Sequence, residues 1–191
     1  MTFLSSCTSE PLSVRYYLLH TPENKVTNTI DNAKPIVILR LLDVADYLRQ
    51  PSLVMQVDQF ELHYSHQDVW AEKLQSSFFK ALLQDLNISG NTNYVASSSP
   101  EAINAVTTIN VKLEHFHATD ASTVVSSGQY WLSAHDRKND KNKDLPNSSH
   151  SFYFKSELKQ DGYAQAVKQL RALMASLAKQ IEKDIAALPN K

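Results

Sequence analysis

The sequence lacks the features that mark several common classes of protein. It has one cysteine, Cys7, so it cannot form an internal disulfide bond. Its three glycines, Gly90, Gly128 and Gly162, are too far apart to build a glycine-rich phosphate-binding loop. It also has no run of roughly 18 apolar residues, the length that a membrane-spanning helix needs. We therefore expect neither a nucleotide-binding motif nor a bilayer crossing by the chain itself.

The charge of the sequence is almost balanced. Nineteen lysines and arginines face 20 aspartates and glutamates, which gives a formal net charge of -1 and a pI near 6.6. A balanced chain has no broad basic field to hold phosphates, so nucleic acid is not an expected partner. The length of 191 residues predicts one domain with a sizeable core.

Alternating apolar residues and turn signals predict a series of strands. The pattern in the middle of the chain shows a break near Asp58, which predicts two strands there. The three long strands after residue 104 are predicted to pair as an antiparallel meander. The predicted strands cover residues 13–19, 34–42, 52–65, 93–98, 105–119, 122–135 and 149–158.

Two amphipathic helices are predicted. The first has Asp68 as its N-cap and an apolar stripe that runs from Trp70 through Leu74, Phe78, Leu82 and Leu86. The second begins with Asp161 as a cap, has about 26 residues and ends at Pro189. Together these elements predict an α/β (α+β) fold, a layered sandwich with a mixed, largely antiparallel sheet and two long amphipathic helices.

Few side chains suggest chemistry. His115 and His117 are predicted to lie on the same side of a strand as Ile109, Val111 and Leu113. Two imidazoles at this spacing could face a metal, yet no third ligand is identifiable, and both rings could simply cover a strand end. No G-x-S-x-G motif occurs. The run 136–144 of mixed charge fits a solvated hairpin tip or a docking loop.

The surroundings of the lone cysteine match a processing signal. Leu4-Ser5-Ser6-Cys7 has the hydrophobic and small residues that precede the acylated cysteine of bacterial lipoproteins. Upstream, only Phe3 and Leu4 are apolar besides Met1, whereas a secretory signal has an apolar region of about 7–15 residues. We therefore expect either a start further upstream or a trimmed form. The alternative is an unmodified surface cysteine.

Several ordered blocks resemble one known family. The sequence is similar to the PqiC family of ABC-type transport auxiliary lipoproteins over nearly the whole of the chain after Cys7. The blocks that carry this resemblance are "RYYLL", "DVADYLRQPSLV", "VWAEKL", "INVKLEHF", "SSGQYW" and "DGYAQAVKQL". The family fold resembles the anticodon-binding-like layers also found in the N-terminal domain of TolB.

The resemblance implies a lipoprotein on the periplasmic face of the outer membrane. Because the residues show no catalytic constellation, we expect no enzymatic activity, cofactor or metal. It implies a membrane-embedded PqiA-like partner, a PqiB-like periplasmic MCE-domain protein that carries lipids between membranes, and a homo-oligomeric ring. Cys7 would be the acylated residue, followed by Thr8 instead of the aspartate that retains lipoproteins at the inner membrane. Residues 1–12 would then be the processing region and tether, and 13–191 one domain.

Some residues of the matched blocks are candidates for partner contact. Tyr47, Leu48 and Pro51 match the "DYL" block, and Trp131 follows the aromatic position after Ser127-Gly128. We take Tyr47, Leu48 and Trp131 as partner-binding candidates. Two alternative functions remain open at this stage. One is a small-ligand or lipid-binding periplasmic carrier with a cavity between the long helix and the sheet, and the other is a hydrolase with dispersed catalytic residues.

Overall fold

A computed structural model describes residues 13–21, 30–31, 33–88, 91–134 and 148–188. Within these ranges the chain forms eight strands, two α-helices and two short 3-10 helices, Asp46–Leu48 and Pro100–Asn104. The α-helices are α1 (Leu74–Ile88) and α2 (Tyr163–Ala186). The strands are β1 (Arg15–Tyr17), β2 (Ile36–Val44), β3 (Ser52–Asp58), β4 (Glu61–Trp70), β5 (Asn93–Ala96), β6 (Thr107–Thr119), β7 (Thr123–Ala134) and β8 (Ser148–Glu157).

All eight strands belong to one mixed sheet organised around β6. One edge of β6 pairs along its length with β7, and β7 pairs with β8, so the predicted antiparallel meander is confirmed. The other edge of β6 pairs in parallel first with β2 and then, near its end, with β3. Beyond β2 lies β5, and beyond β3 lie β4 and β1. The longest registers are antiparallel, as predicted for this α/β sandwich.

Both helices cover the same face of the sheet, which we call the helix face. Their apolar stripes pack on β2, β6 and β7 in one core that includes Leu39, Ile109 and Leu132. Between the helices, the Arg171 guanidinium donates two hydrogen bonds of 2.5 Å to the Asp85 carboxylate. This bidentate pair fixes α1 against α2. We call the opposite side of the sheet the second face.

A bulge in β6 changes which side chains face the core. The register with β7 pairs Leu113 with Gly128 but His115 with Ser127, which leaves Glu114 as an extra residue. After this insertion Phe116 and Ala118 face the core, and His115 and His117 lie on the second face. The prediction that the histidines share a side with Ile109 was therefore wrong.

The residue opposite the bulge is a glycine for a steric reason. A Cβ atom at Gly128 would lie only 2.1 Å from the carbonyl oxygen of Lys112 on the paired strand. Any side chain there would force the β6 and β7 backbones apart. The serine-glycine pair of the sequence thus marks a point at the bulge where the two backbones lie too close together for a side chain.

The first helix begins later than predicted. Strand β4 continues to Trp70, and α1 starts only at Leu74. Asp68 is therefore a strand residue and not a helix cap. Its buried carboxylate accepts hydrogen bonds from Arg15 at 2.9 Å and Tyr17 at 2.8 Å, and so joins the short strand β1 to β4. The predicted stripe from Leu74 to Leu86 is buried as expected.

The second helix carries the predicted stripe but not the predicted cap. Its N-cap is Gly162, which has a φ of 106° and no side-chain capping bond. Asp161 instead accepts a hydrogen bond from Ser122 at 3.4 Å, so the assignment of Asp161 as the cap was wrong. Leu170, Met174 and Leu177 are buried along α2. Pro189 lies outside the described residues. No helix in the described part of the chain is long and apolar enough to span a bilayer.

Candidate functional site

The segment between β2 and β3 docks on the bulge of β6. The backbone N–H of Ala45 donates to the carbonyl of Leu113 at 2.9 Å, and the Tyr47 hydroxyl donates to the carbonyl of Glu114 at 3.0 Å. Burial, aided by the nearby Tyr64, raises the pKa of Tyr47. The phenol therefore stays protonated and keeps donating to the bulged backbone. This hydrogen bond explains why a tyrosine stands in the "DYL" block.

Tyr47 and the two histidines form an aromatic cluster on the second face. The Tyr47 ring centroid lies 6.4 Å from that of His115 and 6.0 Å from that of His117. His115 Nδ1 is 2.8 Å from Ser127 Oγ, and His117 Nδ1 is 3.0 Å from the carbonyl oxygen of Ala118. Each ring is thus held by a local hydrogen bond and by its neighbours.

The chemistry of this cluster is that of packed rings. Burial lowers the pKa of His117, helped by its neighbour His115 and opposed by the hydrogen bond to Ala118. Within the described ranges, no three His, Cys, Asp or Glu side chains come together in a way that could hold a metal ion. His115 and His117 therefore pack side by side next to Tyr47, and the described residues bring no third ligand to them.

The structure places the three partner-binding candidates differently. Leu48 is only 2% exposed and lies in the main core, so its side chain positions the 3-10 helix and does not form part of the surface. Tyr47 is half-buried beside the bulge. Trp131 lies on the second face, half-buried, between Asn110 of β6 and Ser149 of β8. The structure therefore does not gather the three candidate side chains into one surface, because Leu48 lies in the core, Tyr47 beside the bulge and Trp131 further along the second face.

An exposed aromatic ring shares the face of the half-buried Trp131, and sequence reasoning missed it. Tyr153 of β8 is opposite Ser127 in the register, and its side chain is 66% exposed. The alternation in β8 puts Tyr153 on the solvent side, opposite to Phe152, which is buried. The sequence signal that could have found it is this alternation, since Phe152 and Phe154 mark the core side of β8 and place Tyr153 on the other side.

Another polar group that the sequence did not reveal lies at the end of α2. Tyr130 donates a hydrogen bond to Asp184, which also pairs with His150 Nδ1 at 3.2 Å. The Tyr130 and His150 rings stack, with centroids 5.0 Å apart. Burial and the hydrogen bond to the Asp184 carboxylate raise the pKa of Tyr130. This network fixes α2 to β7 and β8.

A cleft of about 620 Å³ lies between α1 and the outer edge of β2. It is located beside α1, whereas the carrier alternative expected a cavity beside the long helix α2. Leu39 and Leu41 of β2 supply an apolar floor, Phe79 of α1 supplies an apolar wall, and the lining also contains polar side chains. The lining residues are Leu39, Arg40, Leu41, Leu42, Gln75, Ser76, Phe79, Lys80, Ala96, Ser97 and Ser98.

Two other features of the sequence fall outside the described residues. Cys7, the expected site of acylation, is one of them, and the charged run 136–144 is the other. Their roles stay predictions.

The described geometry defines a class of protein. It is a mixed α/β sandwich with one sheet face sealed by two helices and another face that carries aromatic rings, beside an apolar cleft. A protein-family model described as "ABC-type transport auxiliary lipoprotein component" matches residues 17–182. The chain belongs to this family of non-enzymatic accessory components of transport at the cell envelope.

Individual relatives support the same assignment. The chain is 25% identical over 187 residues to the intermembrane transport lipoprotein PqiC of Escherichia coli (strain K12), which covers 98% of this chain and 94% of that protein. The match to PqiC of Shigella flexneri has the same values. The predicted membership of the PqiC family is confirmed.

Solved structures share the fold. The crystal structure of an uncharacterized protein aligns with a TM-score of 0.72 at 22% identity, over 91% of this chain and 99% of the other. A protein from Xanthomonas campestris aligns with a TM-score of 0.62 at 11% identity, over 78% of this chain and 81% of that one. At these identities the likeness concerns the fold alone.

Proposed function

We propose that the chain is a lipoprotein anchored at the periplasmic face of the outer membrane, where it acts as an accessory subunit of a PqiABC-type intermembrane lipid-transport system. The observation that carries this proposal is the family match over residues 17–182, supported by relatives named intermembrane transport lipoproteins. In this proposal residues 1–12 are the tether and 13–191 the folded domain. The partners are an MCE-domain protein and a membrane-embedded protein.

Cys7 carries the anchor in this proposal. Each buried acyl methylene contributes about 0.8 kcal/mol, and stable attachment needs more than one chain, which a processed lipoprotein cysteine supplies. Thr8 replaces the aspartate of inner-membrane retention, so the outer membrane is the expected destination. The anchor raises the effective concentration of the domain for partners at the same membrane.

The folded domain contributes binding in this proposal, and its second face is the expected contact surface. Trp131 and Tyr153 supply large rings there, and aromatic residues are enriched among the residues that dominate binding energy at protein interfaces. Tyr47 acts from beside the bulge by holding this face in shape. A homo-oligomeric ring belongs to the same proposal.

The experiment uses the complete gene with its native upstream sequence. Cells that express the wild type or Cys7→Ser are labelled with palmitate and separated into membrane and soluble fractions, with Ser5→Ala as a matched control. We expect label and outer-membrane location for the wild type and Ser5→Ala, and loss of both for Cys7→Ser. Label that persists in Cys7→Ser, or a wild type found free in the cytosol, would contradict the anchor.

A further inference from the structure

The cleft beside α1 includes a strand edge without a partner. Strand β5 ends at Ala96, which is opposite Leu39, so the remaining part of β2 has no strand on that side within the described ranges. The backbone direction of β2 follows from two hydrogen bonds. The carbonyl of Pro35 accepts from the backbone N–H of Asn93 on the β5 side. The carbonyl of Ile36 accepts from the backbone N–H of Val106 on the β6 side, and both distances are 2.9 Å. In the regular part of β2, which ends at Leu41, the backbone N–H and C=O groups of odd-numbered residues therefore point toward the β5 side. Those of Leu41 point into the position that β5 does not reach.

The two sides of this edge differ in chemistry. Leu39 and Leu41 face the helix layer, where Phe79 of α1 forms the opposite wall of the cleft. Arg40 follows Ile36 and Ile38 on the other side of the strand. A strand placed beside β2 would therefore set one row of side chains against an apolar floor and the alternate row beside Arg40.

Arg40 is chemically unusual among the arginines of the described residues. Arg15, Arg49 and Arg171 each pair with a carboxylate. Arg40 has no such partner among the residues that the structure describes, although it lines the cleft. A guanidinium in this position favours a ligand that brings a carboxylate to the second row.

We propose that residues 40–42 of β2 are a strand-addition site for an extended segment of a protein partner in which apolar and acidic residues alternate. Beyond them the edge is already occupied, because the Val44 N–H donates to the Asp43 carboxylate and the Val44 carbonyl accepts from Arg49. The apolar row would enter the cleft over Leu41 and Phe79, and an acidic side chain would pair with Arg40. Backbone hydrogen bonds to Leu41 would supply affinity, and the two rows would supply selectivity.

An acyl chain fits this site less well. It would cover the apolar floor, but it has no groups to bond the N–H and C=O of Leu41. Leaving such backbone groups without a partner as they lose contact with water is unfavourable. A peptide backbone satisfies them at the moment it covers them. The inference rests on the proposed function only in assuming that the chain acts by binding a protein partner.

The test uses the full chain carrying Cys7→Ser, which is free of any lipid, and an acetylated and amidated octapeptide of alternating valine and glutamate. Amide hydrogen exchange and NMR chemical shifts are recorded with and without the peptide. We expect exchange at Leu41 to slow at least about tenfold, with shift changes confined to the cleft. A peptide of alternating valine and lysine is the matched probe, and we expect it to bind more weakly.

Variants separate the two parts of the site. Leu41→Pro removes the donor on the free edge while leaving the β6 side of the strand paired, so we expect about tenfold weaker binding. Arg40→Gln should weaken binding of the glutamate peptide about three- to fivefold and not that of the lysine peptide. Lys112→Gln on β6, which removes one positive charge as Arg40→Gln does, should leave binding unchanged. Circular dichroism verifies that each variant folds.

Several results would overturn the inference. One is amide exchange at Leu41 that is not slowed by millimolar glutamate peptide. Another is equal binding of the two peptides, and a third is peptide binding that neither Leu41→Pro nor Arg40→Gln weakens. Displacement of the peptide from the cleft by sodium oleate, together with tighter oleate binding, would assign the site to an amphiphile instead. Because the Cys7→Ser chain carries no anchor, these failures bear on the strand edge and not on membrane attachment, which the fractionation experiment tests separately.

Discussion

The two faces of the sheet are built from the same strands but carry different kinds of side chain. On the helix face, neighbouring strands present Ile109, Val111 and Leu132, all fully buried under α1 and α2. On the second face, the positions between them are Asn110, Lys112 and Trp131. The difference teaches that, in this stretch of β6 and β7, one residue of register decides whether a side chain packs in the core under the helices or lies on the second face.

The sharpest way to break this comparison is a matched pair of truncations on β6. Ile109→Ala removes a fully buried side chain and should lower the free energy of unfolding by about 3 kcal/mol, because it leaves a cavity in the core. Asn110→Ala, one residue further and on the second face, should change it by less than about 0.5 kcal/mol. Urea denaturation measures both. Equal losses would contradict the division between the two faces.

The bulge offers a second prediction. Gly128→Ala places a Cβ against the Lys112 carbonyl oxygen, so the two strands must separate. We expect a loss of about 2–3 kcal/mol in the free energy of unfolding. Thermal denaturation followed by circular dichroism provides the measurement, with Ser126→Ala on the same side of β7 as control. A Gly128→Ala variant as stable as the wild type would show that the close approach is not required.

The third prediction concerns the attachment of β1. Burial acts to raise the pKa of Asp68, but hydrogen bonds from Arg15, Tyr17 and Ser65 and the Arg15 charge outweigh it, so the pKa is lowered. The carboxylate therefore adds stability above the ordinary pKa near 4, and this contribution is lost as the pH falls through the lower folded value.

Asp68→Asn should cost about 2 kcal/mol at pH 7 and make stability less dependent on pH below 4. Urea denaturation at a series of pH values from 2.5 to 7 tests this. Arg15→Gln should give a smaller loss, because Tyr17 and Ser65 continue to donate. If the free energy of unfolding of Asp68→Asn fell below pH 4 as steeply as that of the wild type, the role given to this carboxylate would be contradicted.

The smallest expected effect comes from the aromatic cluster of the second face. The pKa of His117 is lowered in the fold, so the unfolded chain takes up the proton more readily as the pH falls below about 6.5. Stability from this group is complete above that pH and declines below it. In His117→Gln we expect a weaker decline in the free energy of unfolding between pH 7 and 5. An identical decline in wild type and variant would exclude His117 as its source.

Much of the fold could be predicted from the sequence, because the alternation of apolar residues directly reports a strand with one buried side. Alternation could not reveal the bulge at Glu114, since one inserted residue reverses the faces without changing the composition. Asp68 was predicted to cap a helix because it is an acidic residue just before an apolar stripe at spacing four. The same pattern arises when a strand ends shortly before a helix, as β4 does here. The ion pair that explains it involves Arg15, 53 residues away.

The candidate surfaces were less accessible to sequence reasoning. Leu48 and Tyr47 are neighbours in one matched block, yet one is buried in the core and the other packs beside the bulge. The cleft depends on β5 being shorter than β2, a relation between two separate segments. The contact of Tyr130 with Asp184 spans 54 residues and has no local motif.

The most direct test of the account is photo-crosslinking in cells that express the complete lipoprotein. A photoreactive phenylalanine analogue replaces Leu42 at the cleft or Trp131 on the second face, and Lys168 or Lys179 on the exposed side of α2 for comparison. The account predicts adducts with envelope proteins from positions 42 and 131 and none from 168 and 179. Adducts formed only from α2, or equally from all four positions, would contradict it.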